Sequence, residues 1–473
     1  MDPIRGSALT DVCKAMSGLT ETEIEPVSHA RIIRLALPMT LAHMSTPLLG
    51  FADAAVIGRL GAAHLLGAVA VAAIIFDCVF WIFGFLRMGT ASLTAQAKGQ
   101  GDRDEQKATL VRALIVAASL GFLLILLQAP IASLGFTALD ATPEVTQAAR
   151  AYYDVRIWSA PFVFANYAVL GAVTGRARTD IALVLQVCIN LVNVALNVWF
   201  VYGLALGVRG SALGTLVAEA AGTFLGLLVV WRLYGNLFTL QPRLVFDRPR
   251  IFRMLGVNRD IMIRTAVLMF GFAFFTAQGA RAGDVTLAAN AILMNLFLVC
   301  AYFLDGFATA AAQICGQSVG AGDAAGFRAA IRLTLIWCFG FAAVIVVLAL
   351  SAGPAFIDFI STNTQVRQAA RQFLGFAALT PVCGALAFIF DGVFIGATWT
   401  RAMRNTMLAA LCCYIGAFFL LSPFGNAGLW AALLIFLITR GLFQAALYPK
   451  LAAVTFPAAQ SSAFAPVASD KFR

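Results

Sequence analysis

Gln96-Ala97-Lys98-Gly99-Gln100-Gly101-Asp102 and Gln317-Ser318-Val319-Gly320-Ala321-Gly322-Asp323 share the pattern Gln-x-x-Gly-x-Gly-Asp, and 323 − 102 = 221. The same offset carries Val145 onto Val366 and Gln147-Ala148-Ala149-Arg150 onto Gln368-Ala369-Ala370-Arg371. It also carries Gly171 onto Gly392 and Gly175 onto Gly396. An offset that persists across both halves indicates duplication of a unit of roughly 220 residues. In so apolar a chain, duplication points to a transporter made of two pseudo-symmetric lobes.

The chain has 473 residues, 61% hydrophobic and only 12% charged, with a mean hydropathy of +0.87. Soluble domains are about 45–50% apolar and about 25% charged, so this is no soluble domain. Apolar runs fall at roughly 33–58, 65–92, 110–136, 152–174, 181–203, 209–232, 260–282, 286–315, 329–352, 370–397, 403–422 and 427–448, about twelve segments of bilayer-spanning length. Without water to satisfy peptide groups, such runs must be helical. The expected fold is therefore an all-α integral membrane protein, two six-helix bundles arranged as parallel repeats.

The net charge of +10 raises the question of nucleic acid, but its distribution answers it. With the N-terminus cytoplasmic, the outward loops hold only Arg59, Arg150, Arg156, Arg209, Arg281, Arg367 and Arg371, and most other cations are cytoplasmic. This positive-inside bias predicts both termini inside and no nucleic-acid partner. The expected organisation is a polar tail over 1–30, an N-lobe over 31–232, a basic cytoplasmic linker over 233–259, a C-lobe over 260–450 and a tail over 451–473. The tail carries Glu21, Glu23 and Glu25, and no signal peptide is read there. The nine Cys lack metal-ligand spacing and read as small buried hydrophobes.

An ionisable residue inside a bilayer is costly unless paired or facing a wet cavity, so each one is a functional candidate. They are Asp53, Asp77, Arg87, Glu219, Asp305, Asp391 and Arg440. Asp53 follows Pro38 and Pro47, which remove backbone hydrogen bonds and can bend the first span. A carboxyl beside a flexible helix segment suits proton-driven switching; the alternative is an Asp near the interface paired with Arg59 or with a neighbouring helix. Gln186, Asn190, Asn193 and Asn197 recur at intervals of three and four, one stripe of a helix. Such a stripe lines a wet cavity, glues helices together, or does both. Asn166 is a further cavity candidate.

The duplication exposes asymmetry. Asp53 maps onto Phe274, and the amides at 190, 193 and 197 map onto Leu411, Tyr414 and Phe418. Asp305 and Asp391, each followed by Gly, map onto Gly84 and Leu170. Either acid suits a cation or a helix-packing position. Glu219 maps onto Arg440, and opposite charges at equivalent places invite an intramembrane ion pair. No metal cluster, phosphate loop or nucleophile elbow is present, so ion-gradient energy is expected rather than ATP, with no cofactor and no catalysis.

Several stretches together resemble the multidrug and toxic compound extrusion (MATE) family over about residues 30–450, in its DinF-like branch. They are Leu48-Leu49-Gly50-Phe51-Ala52-Asp53 with Gly58-Arg59-Leu60-Gly61, Leu65-Leu66-Gly67-Ala68, and Tyr302-Phe303-Leu304-Asp305-Gly306. Asp391-Gly392-Val393-Phe394-Ile395-Gly396-Ala397-Thr398 with Met403-Arg404-Asn405 is the most branch-specific. The resemblance implies antiport: export of organic, often cationic, amphiphiles against H⁺ or Na⁺ by rocking of two lobes. It implies a multi-pass protein of the bacterial inner membrane, with membrane lipid as a partner and acting as a monomer. It matches the family's span-1 acid to Asp53, its bending proline to Pro38, its span-5 Asn to Asn193, a span-6 polar position to Thr215 and a C-lobe acid to Asp391. Where many relatives have a second span-5 acid, this chain has Asn197. The rival expectations are a lipid-linked precursor flippase, disfavoured by only two intramembrane Arg, and a polytopic membrane enzyme, for which no constellation is visible.

Overall fold

The computed structural model describes residues 25–60 and 62–457. The described part of the chain is helical throughout, with no strand. The N-lobe comprises α1 (His29–Gly58), α2 (Ala63–Ile82), α3 (Phe85–Gly99), α4 (Arg103–Leu126), α5 (Gln128–Leu139), α6 (Pro143–Arg156), α7 (Ala160–Gly175), α8 (Thr179–Val198) and α9 (Gly207–Tyr234). A four-residue helix, α10 (Pro242–Val245), leads into the C-lobe. That lobe comprises α11 (Arg248–Arg281), α12 (Asp284–Ala321), α13 (Ala324–Ile360), α14 (Thr364–Gly396), α15 (Thr400–Leu421) and α16 (Gly425–Thr455).

Ten stretches of the described residues are long and apolar enough to cross a membrane. One of them, Thr400–Thr455, is two helices turning at Ser422–Phe424, and α1 with its 30 residues adds another crossing. The expected twelve crossings are accounted for, and the protein is a multi-pass membrane protein.

Two boundaries differ from expectation for identifiable reasons. The basic connector ends early, because Asp247 caps α11 by accepting from the Arg250 N–H at 3.1 Å and Pro249 occupies the first turn. A proline there loses no helical hydrogen bond. So residues 248–259 belong to a helix rather than a linker. The second, third and fourth N-lobe crossings are each broken, at Phe83–Gly84, at Leu127 and at Ile157–Ser159, whereas their C-lobe counterparts run unbroken. The expected tails lie mostly outside the described residues.

The repeated glycines have a packing cause. Gly171 and Gly175 on α7 face the carbonyls of Arg87 and Ala91 on α3, and Gly392 and Gly396 on α14 face those of Ala308 and Ala312 on α12. The partners obey the repeat offset too: 308 − 87 = 221 and 312 − 91 = 221. A Cβ at any of the four would collide with backbone. The duplication therefore preserves a close helix crossing in each lobe, made possible by small residues.

The Gln-x-x-Gly-x-Gly-Asp motif is equally legible. Gly101 (φ 72°) and Gly322 (φ 69°) adopt the left-handed conformation just past a helix end, which favours glycine. Asp102 and Asp323 then cap the next helix, accepting from Glu105 N–H and Gly326 N–H at 2.8 Å each.

Candidate functional site

The polar stripe of α8 lies against the C-terminal half of α1. Asn197 donates to a carboxylate oxygen of Asp53, and also to the Asn193 side-chain oxygen at 2.9 Å. One turn inward, Gln186 donates to Asn190 at 3.2 Å and Asn190 donates to the Ser45 hydroxyl at 2.9 Å. One turn outward, the Tyr202 hydroxyl donates to the Val56 carbonyl at 2.5 Å. Ser45, Asp53 and Val56 are thus all tied to the same helix, and the tie brackets Pro47. Asn193 and Asn197 are 1% and 0% exposed. That burial makes the middle of the stripe an interhelical zipper on α1, while its two ends, at Gln186 and at Asp53, reach partly accessible space.

Local structure explains the fit. Directly after Asn197, the backbone widens into a π-turn over Trp199–Gly203, a feature found often at functional sites. That turn delivers Tyr202 to Val56. Behind Asn197, Gly214 of α9 packs closely: a Cβ there would lie 3.0 Å from the Asn197 backbone nitrogen and 3.1 Å from its side-chain oxygen. Thr215, the next residue, is buried, donates to the Ser211 carbonyl at 3.1 Å and contacts the Tyr152 hydroxyl. Pro38 and Pro47 both lie inside α1, which runs unbroken through them.

Asp53 has no ion-pair partner within 4.0 Å among the described residues. Arg59 is not bonded to it; of the two alternatives expected for Asp53, the contact to a neighbouring helix is the one formed, through Asn197, and Arg156 acts on it only through space. Its one hydrogen-bond partner is a neutral amide. The buried oxygen of that amide, Asn197 Oδ1, has no donor of its own.

Asp391 is the opposite case. Arg264 and Arg440 both bond one of its oxygens, and Gln444 donates to the other at 2.7 Å. All four residues are buried, and the Arg440 guanidinium also stacks 5.5 Å above the Phe388 ring. A carboxylate already neutralised by two guanidiniums has no oxygen left for a coupling cation, so the expectation of a cation at Asp391 is corrected. The expected Glu219–Arg440 pair is corrected as well. Glu219 accepts from the Asn166 amide at 2.7 Å, while Thr223 donates to the Asn166 oxygen at 3.1 Å. Asn166 is therefore a buried link between α7 and α9 rather than cavity lining.

Asp305 joins neither group. Its carboxylate lies 3.4 Å from His43 Nδ1, across the boundary between the lobes. Asp53, Asn193 and Asn197 are brought together as expected; Asp305 and Asp391 are not. His43, Arg264, Tyr202 and Gln444 went unnoticed in the sequence. The repeat offset held a signal for three of them: His43 maps onto Arg264, and Thr223 onto Gln444, one helical turn after Glu219 and Arg440.

The MatE family model matches the chain twice, over residues 38–199 and 261–422. The chain is 38% identical over 422 residues to DNA damage-inducible protein F of Escherichia coli (strain K12), covering 88% of this chain and 91% of that protein. It is 25% identical over 442 residues to a probable multidrug resistance protein NorM of Rhizobium meliloti (strain 1021), covering 88% and 92%. In fold it is similar, with a TM-score of 0.81 at 18% identity, to a multidrug resistance MATE family transporter of the MOP superfamily solved in an outward-facing conformation. That likeness covers 90% of this chain and 96% of the other.

Proposed function

The chain belongs to the MatE family and is a multidrug efflux transporter rather than an enzyme, and from that premise we propose that it is a secondary antiporter. It exports organic, often cationic, amphiphiles across the bacterial inner membrane in exchange for protons, and acts as a monomer whose two lobes alternate in access.

The observation that carries this reading is the contrast between Asp53 and Asp391. Asp391 is locked in its charge state by two guanidiniums. Asp53 has only a neutral amide bonded to it, so it can change charge without unbalancing a buried cluster. A protonated Asp53 also brings the donor that Asn197 Oδ1 lacks. A proton thus satisfies the site better than Na⁺, which would need several oxygen ligands in place of amide nitrogens. When ionised, Asp53 holds substrate cation; proton entry cancels that attraction. A change of this kind shifts the balance between two conformations by its differential interaction with each.

Orientation supports the same cycle. With the positive-inside side cytoplasmic, the lobes meet through the cytoplasmic halves of α1, α3, α11 and α12, as in Gly306 against Thr40 and Gly89 against Asn258. Asp53 then lies towards the outer side, in an outward-facing arrangement. The flippase reading gains nothing, since both buried C-lobe arginines are consumed by Asp391.

The test is efflux of a lipophilic cation from proteoliposomes, with pH and Na⁺ gradients imposed separately. Export driven by the pH gradient alone is expected. Export indifferent to both gradients would sink the antiporter reading, and export driven by Na⁺ alone would replace the coupling ion.

A further inference from the structure

The lobes are fastened to each other at the motif that duplicates. Arg31 at the start of α1 donates to the side-chain oxygen of Gln317 on α12 at 2.6 Å. Arg253 at the start of α11 donates to the side-chain oxygen of Gln96 on α3, also at 2.6 Å. Each bond crosses between lobes, and the two are twins: 317 − 96 = 221 and 253 − 31 = 222. Between them the helix ends touch. A Cβ on Gly99 would strike the Gln317 carbonyl, and one on Gly320 would strike the Gln96 carbonyl and approach Gly99 Cα at 3.0 Å. Gln96 also donates to the Gly396 carbonyl at 2.8 Å. The glutamines are 4% and 1% exposed.

We propose that Arg31–Gln317 and Arg253–Gln96 form a two-fold latch that closes the cytoplasmic gate between the lobes and must break once per transport cycle. The proposal rests on the alternating-access reading above and names the residues that set its inner gate. Residue types fit the task. An arginine bonded to a neutral amide is held more weakly than one bonded to a carboxylate, and its partner, once released, is not left as an unpaired buried charge. Glycine lets the backbones approach closely enough for both bonds to form at once, and leaves no side chains to disentangle on opening. A further ion pair, Arg250 with Glu105, joins α11 to α4 beside the latch. It has no twin, since the offset places His29 and Gly326 there.

The latch can be tested in both directions. The experiment is hydrogen–deuterium exchange of the full chain in lipid nanodiscs, without substrate or gradient. In the double variant Arg31→Gln/Arg253→Gln, peptides covering 92–102 and 313–323 are expected to exchange about tenfold faster, while those covering 179–198 are unchanged. In Gln317→Glu, which gives up no hydrogen bond because the Gln317 side-chain nitrogen has no partner among the described residues, the same peptides are expected to exchange more slowly, and downhill efflux of a lipophilic cation to slow. Arg31→Lys with Arg253→Lys, which keep charge and one donor, should fall between parent and double variant. Unchanged exchange in the arginine variants overturns the latch. So does an equal rise over 179–198, which marks a merely structural role, and so does unslowed exchange in Gln317→Glu. Exchange needs no transport, so failure of gradient-driven efflux with the exchange pattern intact would remove the antiport reading alone.

Discussion

Glu219 and Arg440 hold equivalent places on the last helix of each lobe, carry opposite charges and do not meet. Each is satisfied within its own lobe, Glu219 by Asn166 and Arg440 by Asp391. Each also has a polar residue one turn on, Thr223 and Gln444, bonded into the same cluster. The lobes therefore share a buried polar knot whose position is conserved by duplication and whose charge is not. Because neither knot spans the lobes, both can persist while the lobes move.

The two knots differ in what their loss costs. Asp391→Asn leaves two guanidiniums close together and uncompensated in the C-lobe, a loss of about 3–5 kcal/mol by analogy with broken buried pairs. Glu219→Gln keeps a hydrogen-bond partner for Asn166 and is expected to cost about 1 kcal/mol or less. Thermal unfolding in detergent compares them; a Glu219→Gln protein as labile as Asp391→Asn would contradict the assignment.

The repeated glycines give a second contrast. Gly392→Ala drives a Cβ into the Ala308 carbonyl, whereas Gly416 on α15 has nothing within 4 Å of the Cβ position. The first is expected to cost at least about 1–3 kcal/mol through overpacking. The second is expected to be neutral or to gain up to about 1 kcal/mol of helix propensity. Equal melting temperatures for the two variants would argue against the close α12–α14 crossing.

Tyr202 ties the π-turn after α8 to the α1 backbone through a single hydroxyl. Removing it in Tyr202→Phe forfeits about 1 kcal/mol of α1 attachment. Gradient-driven export is expected to fall more than overall thermal stability does, because the tie acts on the segment carrying Asp53. Export matching the parent would show that the tie has no part in transport.

At Asn197 the chain has an amide bonded to Asp53. Asn197→Asp places two carboxyls in hydrogen-bond contact, and such a pair titrates as a unit rather than as two separate groups. The pH profile of transport is expected to shift. A profile identical to the parent would count against a site shared between these positions.

Much of the architecture could be read from particular residues. The Gln-x-x-Gly-x-Gly-Asp motif located the helix ends and the symmetry, because each residue in it answers a local need: a close approach, a left-handed turn or a cap. The meeting of Asp53 with Asn193 and Asn197 followed from a three-and-four spacing beside a lone acid. Two things were hidden. A charge inside a bilayer announces that it needs a partner without saying which. Glu219 and Arg440 therefore looked complementary until their own lobes offered nearer groups in Asn166 and Asp391. The amide stripe, likewise, has the same spacing whether it faces water or a neighbouring helix, and only the burial of Asn193 and Asn197 decides. Arg264 was missed because it sits near the start of a crossing, where a cation passes for part of the basic cytoplasmic rim.

The central claim is that Asp53 carries the coupling proton. The most direct measurement compares the parent and Asp53→Asn in proteoliposomes, reading both pH-gradient-driven accumulation of a lipophilic cation and its downhill exchange. Asn at this position keeps a partner for Asn197 but cannot ionise. The account predicts that exchange survives in Asp53→Asn while accumulation against a gradient is lost. Concentrative transport at the parental level in that variant would contradict it.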